Sequence, residues 1–219
     1  MGPEALLDVY ERLNDHFGPL HWWPADGPFE VMVGTVLTQN TAWTNVEKAI
    51  AALKARGLLS PEAIAGCDEE TLAGVIRPAG FYHIKARRLK SLVRFFQEEY
   101  GGEVARMAAE NLTELRDALL SVSGVGEETA DCILLYACEK PSFVSDAYTR
   151  RILGRHRLIA QEATYGQIRN LFMAHLPQEV ALFNQYHALL VNLGKHFCRK
   201  TPRCGICPLQ GLLPAAVPM

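Results

Sequence analysis

One stretch, Val122–Arg151 (VSGVGEETADCILLYACEKPSFVSDAYTRR), limits most tightly what this chain can fold into. Gly124-Val125-Gly126 stands between two segments of helical apolar spacing. Leu112, Leu115, Leu119 and Leu120 lie before it, and Ala130, Ile133, Leu134 and Ala137 after it. Two glycines around one small apolar residue let the backbone turn sharply and come close to another surface. The pattern predicts helix, tight turn, helix. The second helix then opens with unpaired amides and the positive end of its dipole, which suits a phosphate. An ordinary helix–helix turn needs the same residues. Further on, Ser145-Asp146 precedes a new helical run, and on spacing alone Asp146 reads as an N-cap.

The 219 residues suit one large domain or two small lobes with a real core. No apolar run reaches the length of a membrane span and no secretory signal pattern is visible, so a cytoplasmic, nucleoid-associated protein is expected. A net charge of −2 excludes a generally basic nucleic-acid binder, so any DNA contact must be a local patch. Candidate runs are Lys85, Arg87, Arg88 and Lys90; Arg150, Arg151, Arg155 and Arg157; and Lys195, Arg199, Lys200 and Arg203. Each run also reads as a solvated helix face. Six cysteines in a reducing compartment point to metal or free thiols rather than disulfides.

Along the chain the apolar spacing predicts helices over Pro3–Phe17, Phe29–Ala42, Val46–Leu58, Pro61–Ala65 and Leu89–Tyr100. Beyond the organising stretch it predicts them over Tyr148–Arg157, Tyr165–His175 and Val180–Phe197, with no strand pattern and no repeat. The loop HWWPADGP places Trp22 and Trp23 side by side, suited to packing or to a wall for a planar base.

The motif LxxxxGVGxxTAD followed by VSDAYTRRI resembles the helix-hairpin-helix DNA glycosylases of the endonuclease III superfamily. The resemblance runs from WWPA (Trp22–Ala25) to the cysteines at Cys198–Cys207. It implies an all-α, two-lobed fold: a six-helix barrel with the hairpin over 27–134, and a second lobe from 1–26 and 135–219 ending in a cysteine loop. It implies that Asp146 is the catalytic carboxylate. By the same resemblance LTQNT makes Gln39 a residue that enters the DNA, and GFYHIKARRL makes Phe81 a prop for the opened duplex. Helix capping for Gln39 and core packing for Phe81 are the plainer alternatives. Gly124, Gly126, Lys195 and Arg199 are the further DNA-contact candidates. The partner implied is double-stranded DNA with a damaged base, engaged by a monomer, with no membrane involved.

Two departures from the family pattern matter. Bifunctional members carry a lysine nucleophile in the hairpin, where this chain has Glu128, and a carboxylate forms no Schiff base with the sugar. Together WWPA, LTQNT, the hairpin glutamate and TADCILLYAC resemble the 3-methyladenine DNA glycosylase III branch, monofunctional enzymes that excise alkylated purines. Trp22, Trp23 and Trp43 fall on that branch's base-pocket positions. A methylated purine is cationic and already a good leaving group, so stacking can select it. The second departure is Cys198, Cys204 and Cys207, spaced C-x5-C-x2-C, close to the family's iron–sulfur loop but with Leu213 at the fourth ligand place. Three thiolates holding a [4Fe-4S] cluster are expected, with a cluster-free loop or a zinc site as alternatives. Cys67, Cys132 and Cys138 read as small core residues. Two other functions fit the same residues: an endonuclease III-like glycosylase for oxidised or deaminated pyrimidines, and a damage-binding module with weak catalysis.

Overall fold

The computed structural model describes residues 3–212, and Leu213 lies outside them. The helices in chain order are α1 (Pro3–Phe17), α2 (Pro28–Leu37), α3 (Trp43–Ala55), α4 (Pro61–Gly66), α5 (Glu69–Val75) and α6 (Tyr82–Tyr100). There follow α7 (Val104–Ala109), α8 (Leu112–Ser121), α9 (Glu127–Cys132), α10 (Ala147–Arg155), α11 (Tyr165–His175) and α12 (Val180–His196). The described residues contain no strand, so the fold is all-α as expected. The spacing missed α5 and α7, each only two turns long, and predicted only the Leu89–Tyr100 part of α6.

The chain divides into two compact units. One joins the chain up to Trp22 with the chain from Pro141 onward, and the other is Trp23–Lys140.

In the Trp23–Lys140 unit α2 is the axis. Its residues Glu30 to Leu37 are all buried, so a helix apolar nearly all round has been surrounded by others. Leu53, Leu72, Leu89, Phe96, Leu119 and Ile133 pack into the same core with no exposure. The one carboxylate on α2, Glu30, is matched by Lys54 at 2.8 Å. Local chemistry fixes the ends of the surrounding helices: Ser60, Asp68 and Asn111 cap α4, α5 and α8 through side-chain oxygens.

In the other unit Phe143 stacks on Phe172 at 3.6 Å, with Phe183 and Tyr186 edge-on. The Tyr186 hydroxyl donates to the Leu6 carbonyl at 2.7 Å and ties α12 to α1. Against α10, Gly194 of α12 meets Tyr148 so closely that a Cβ there would lie 2.2 Å from the ring.

Lys85 departs from its expected place in a surface patch. It is 1% exposed, and its ammonium donates at 2.8 Å to the carbonyls of Leu37 and Ala79. Ala79 also accepts from Thr41 Oγ1 at 2.7 Å, so one buried cation joins the end of α2 to the turn before α6. Helix-end carbonyls lack partners, and a buried cation satisfies them. Burial, helped by Arg88, pushes the Lys85 ammonium down to about 8. Lys85→Met is expected to cost about 1–3 kcal/mol by orphaning these carbonyls. Below about pH 8 the folded protein carries the cost of burying the charge. From there up to the usual lysine range only the unfolded chain is protonated, so stability rises with pH. The melting-temperature gap between wild type and variant should therefore widen from pH 8 to pH 10. A constant gap would contradict a desolvated ammonium.

Candidate DNA-binding and catalytic site

The hairpin forms where the glycines require it. Val122 ends α8, the Val125 amide donates back to the Val122 carbonyl at 3.0 Å, and Gly124 takes φ 90°, a conformation L residues avoid. A Cβ at Gly124 would stand 2.2 Å from Arg88 Cγ of α6, so glycine is needed there for space as well. Gly126 is the N-cap of α9 and gives it no side-chain cap. Glu127 and Glu128 are exposed on that first turn. Behind them Asp131 is fully buried and held by Arg116 at 2.9 and 3.0 Å.

Gln39 is bound to this hairpin. Its amide nitrogen donates to the Gly124 carbonyl at 3.1 Å and to Thr129 Oγ1 at 3.0 Å, while its oxygen accepts from Arg88. Next to it Asn40 is exposed with φ 51°. Phe81 likewise has a positive φ, 47°, and is 66% exposed. An exposed aromatic in a left-handed conformation costs free energy twice over, and core packing does not explain it.

Trp23 and Trp43 meet edge to face at 5.0 Å, and Tyr136 lies 5.3 Å from Trp23 at 45°. Gly34 of α2 gives Trp23 its seat, with only 3.4 Å between its Cβ position and the indole. Trp43 donates to Glu47 at 3.0 Å. Tyr136 was not among the expected site residues. It belongs to the π-helical turn Ile133–Ala137 that continues α9, and nothing in the apolar spacing announces that widening. Trp22 lies in the other unit, where the Lys195 ammonium sits 5.2 Å over its ring.

Asp146 is the N-cap of α10. Its Oδ1 accepts from the Thr149 amide at 2.8 Å and from Thr149 Oγ1 at 2.9 Å. Its Oδ2 faces His187 Nε2 of α12 at 3.6 Å. The carboxylate is 13% exposed and the imidazole 5%. Burial opposes the charge, but the pairing with His187 and the bonds from Thr149 outweigh it, and the carboxyl titrates below the usual aspartate range. Asp146 is therefore ionised at neutral pH.

Several cations expected in surface patches are spent on internal carbonyls instead. Lys90 reaches the carbonyls of Ile64, Ala65 and Cys67 at the end of α4. Arg151 donates to Cys198 O at 2.8 Å and Gly194 O at 3.2 Å. Arg155 donates to the Cys198 sulfur at 3.3 Å and to the carbonyls of Arg199 and Lys200 at 2.7 and 3.2 Å. Lys195, Arg199, Lys200 and Arg203 remain exposed. Arg151 and Arg155 thus fasten the cysteine loop to α10. In that loop Cys198 is buried, Cys207 half-buried and Cys204 exposed. Among the described residues no three His, Cys, Asp or Glu side chains are placed to hold a metal ion. Burial pushes the Cys207 thiol up, and the nearby Cys198 and Cys204 add to this. These thiols do not form a ready ligand set.

The HhH-GPD superfamily of base excision DNA repair proteins matches residues 33–178. A protein of Methanocaldococcus jannaschii, provisionally named a DNA repair glycosylase, is 46% identical over 209 residues, covering 94% of each chain. Endonuclease III of Thermotoga maritima is 32% identical over 187 residues, covering 84% of this chain and 81% of its own. Among solved structures, the H. pylori 3-methyladenine DNA glycosylase MagIII bound to 1,N6-ethenoadenine superposes with a TM-score of 0.76 at 26% identity. That match covers 89% of this chain and 98% of MagIII. With the hairpin, the capped Asp146 and these likenesses together, the chain belongs to the HhH-GPD superfamily of base excision DNA repair proteins.

Proposed function

We propose that the protein is a monofunctional DNA glycosylase that hydrolyses the N-glycosidic bond of alkylated purines in double-stranded DNA. The observation that carries this reading is Asp146, ionised although largely buried and held by Thr149 at the first turn of α10. A fixed carboxylate of this kind stabilises the positive charge that develops on the sugar as the C1′–N bond breaks. The bond's electron pair leaves with the base. Water then adds at C1′, and its proton passes to the carboxylate or to solvent.

The aromatic group of Trp23, Trp43 and Tyr136 supports an alkylated purine as the base taken. Indole faces attract a cationic ring, and an N-methylated purine leaves as a neutral base without help from an acid. A lesion that pairs weakly also lowers the cost of leaving the stack. The likeness to MagIII supports the same choice. Phe81 fits a prop in the opened duplex, and Gly124 and Gly126 fit contact with a phosphate. Lys195 and Arg199, both exposed, fit phosphates nearby. Gln39, held by Gly124, Thr129 and Arg88, would have to release the hairpin before entering DNA.

A cluster enters by resemblance to endonuclease III, and the thiols as folded do not fit it. No step of the reaction is assigned to it.

Single-turnover assays on a duplex containing 3-methyladenine test the reaction. Asp146→Asn is expected to cost on the order of a hundredfold or more in base release while binding persists. With Glu128 at the lysine place the product should be an intact abasic site, and borohydride should trap no covalent complex. Full activity of the variant removes Asp146 from the chemistry, and a trapped complex removes the monofunctional assignment. Trp23→Ala should weaken excision by about 1–3 kcal/mol of lost stacking and leave a cooperative melt. Loss of the melt would make Trp23 a core residue. Anaerobically prepared protein should melt at the same temperature with and without an iron chelator. Stoichiometric iron and sulfide, with melting that collapses on chelation, would show that the loop depends on a cluster.

A further inference from the structure

His187 is a buried imidazole on an otherwise apolar stretch of α12, flanked by Tyr186, Ala188, Leu189 and Leu190. Such a position ordinarily takes a hydrocarbon, because a polar ring costs free energy there unless it meets a partner. Its Nε2 points at Asp146 Oδ2, 3.6 Å away, and this is the oxygen that Thr149 does not use. Thr149 already fills Oδ1 with two donors. The two oxygens are therefore addressed from different helices, Oδ1 from α10 itself and Oδ2 from α12. At 3.6 Å the imidazole is beyond hydrogen-bond range, and it biases the carboxylate electrostatically from the side that Thr149 leaves without a donor. Beside Asp146, the Tyr165 hydroxyl of α11 accepts from the backbone amide of Ser145 at 3.4 Å, and Tyr186 of α12 and Tyr148 of α10 are the neighbouring titratable residues along the two helices.

We propose that His187 is a positioning residue for Asp146, biasing the carboxylate from the Oδ2 side and stabilising its ionised form. The proposal rests on the reading of Asp146 as the carboxylate of a glycosylase. His187 touches neither sugar nor base. It acts on the oxygen that Thr149 does not use. Losing a partner of this kind displaces the reacting group without removing it, and small displacements are costly in a fixed site.

Two measurements test this, one of them independent of any substrate. In the first, the Asp146 carboxyl carbon is followed by NMR through an acid titration, its signal identified by its absence in Asp146→Asn. His187→Leu is expected to raise the carboxyl pKa, because the side chain that favours the ionised carboxyl from α12 is gone. His187→Gln places an amide nitrogen near the position of Nε2 and should raise it less. An unchanged titration in His187→Leu overturns the proposal.

In the second, single-turnover base release is measured on a duplex containing 3-methyladenine, and binding on one containing a tetrahydrofuran abasic analogue. His187→Leu should lose on the order of tenfold to a hundredfold in rate with binding unchanged, and His187→Gln should recover most of it. Added to Asp146→Asn, His187→Leu should cost nothing further, since residues acting as one unit are not additive. Equal losses in both backgrounds, or a loss confined to binding, overturn the proposal. Should the wild type release no base, the glycosylase reading falls, and the NMR titration still decides whether His187 governs the carboxylate.

Discussion

Keeping one carboxylate charged while most of its water is removed is the constraint that the rest of the site must satisfy. An isolated buried aspartate takes up a proton and becomes useless as an anion. Here Asp146 is held ionised by two donors from Thr149 and by His187. The N-cap role and the proposed catalytic role are therefore not alternatives. The cap's hydrogen bonds orient the group and lower its pKa, and the helix dipole favours its charge. The sequences around it follow from this: Thr149 three residues on, a short first turn, and a polar ring on α12 where the packing would otherwise ask for a hydrocarbon.

A second theme is the use of cations inside each unit. Lys85 and Lys90 reach carbonyls at the ends of α2 and α4, and Arg151 and Arg155 reach those after α12. Short helices have a large share of unpaired end groups, so an all-helical chain with many short elements needs many such donors. The overall charge of −2 becomes intelligible in this light, because part of the basic complement serves the fold and not the DNA. Among the exposed cations of the candidate runs, Lys195, Arg199, Lys200 and Arg203 lie in or beside the cysteine loop, while Arg87, Arg150 and Arg157 are exposed elsewhere.

Much of the fold was legible in the chain. α1 and α11 fall where the apolar spacing puts them, and the glycines of the hairpin turn where their chemistry demands. Asp146 was legible as a cap from its own neighbourhood, and its catalytic reading came from resemblance. The missing parts share a physical cause: they depend on long-range pairing. Sequence gives no sign that Lys85 and Arg155 turn inward, because a cation in a helical run looks the same whether it meets water or a carbonyl. Tyr136 was hidden by the π-helical turn that carries it, and His187 by the apolar helix around it. A polar ring on an apolar helix was the one available signal for His187, and its partner lies 41 positions earlier, out of reach of any local pattern.

On the proposed reading, base selection rests on charge and stacking, with the leaving group already activated by alkylation. Single-turnover excision rates compared on one duplex context carrying 7-methylguanine, 3-methyladenine, uracil or thymine glycol test this most directly. The cationic methylpurines are expected to be released faster than either pyrimidine by orders of magnitude. Faster release of uracil or thymine glycol would contradict the account and place the protein's chemistry with damaged pyrimidines.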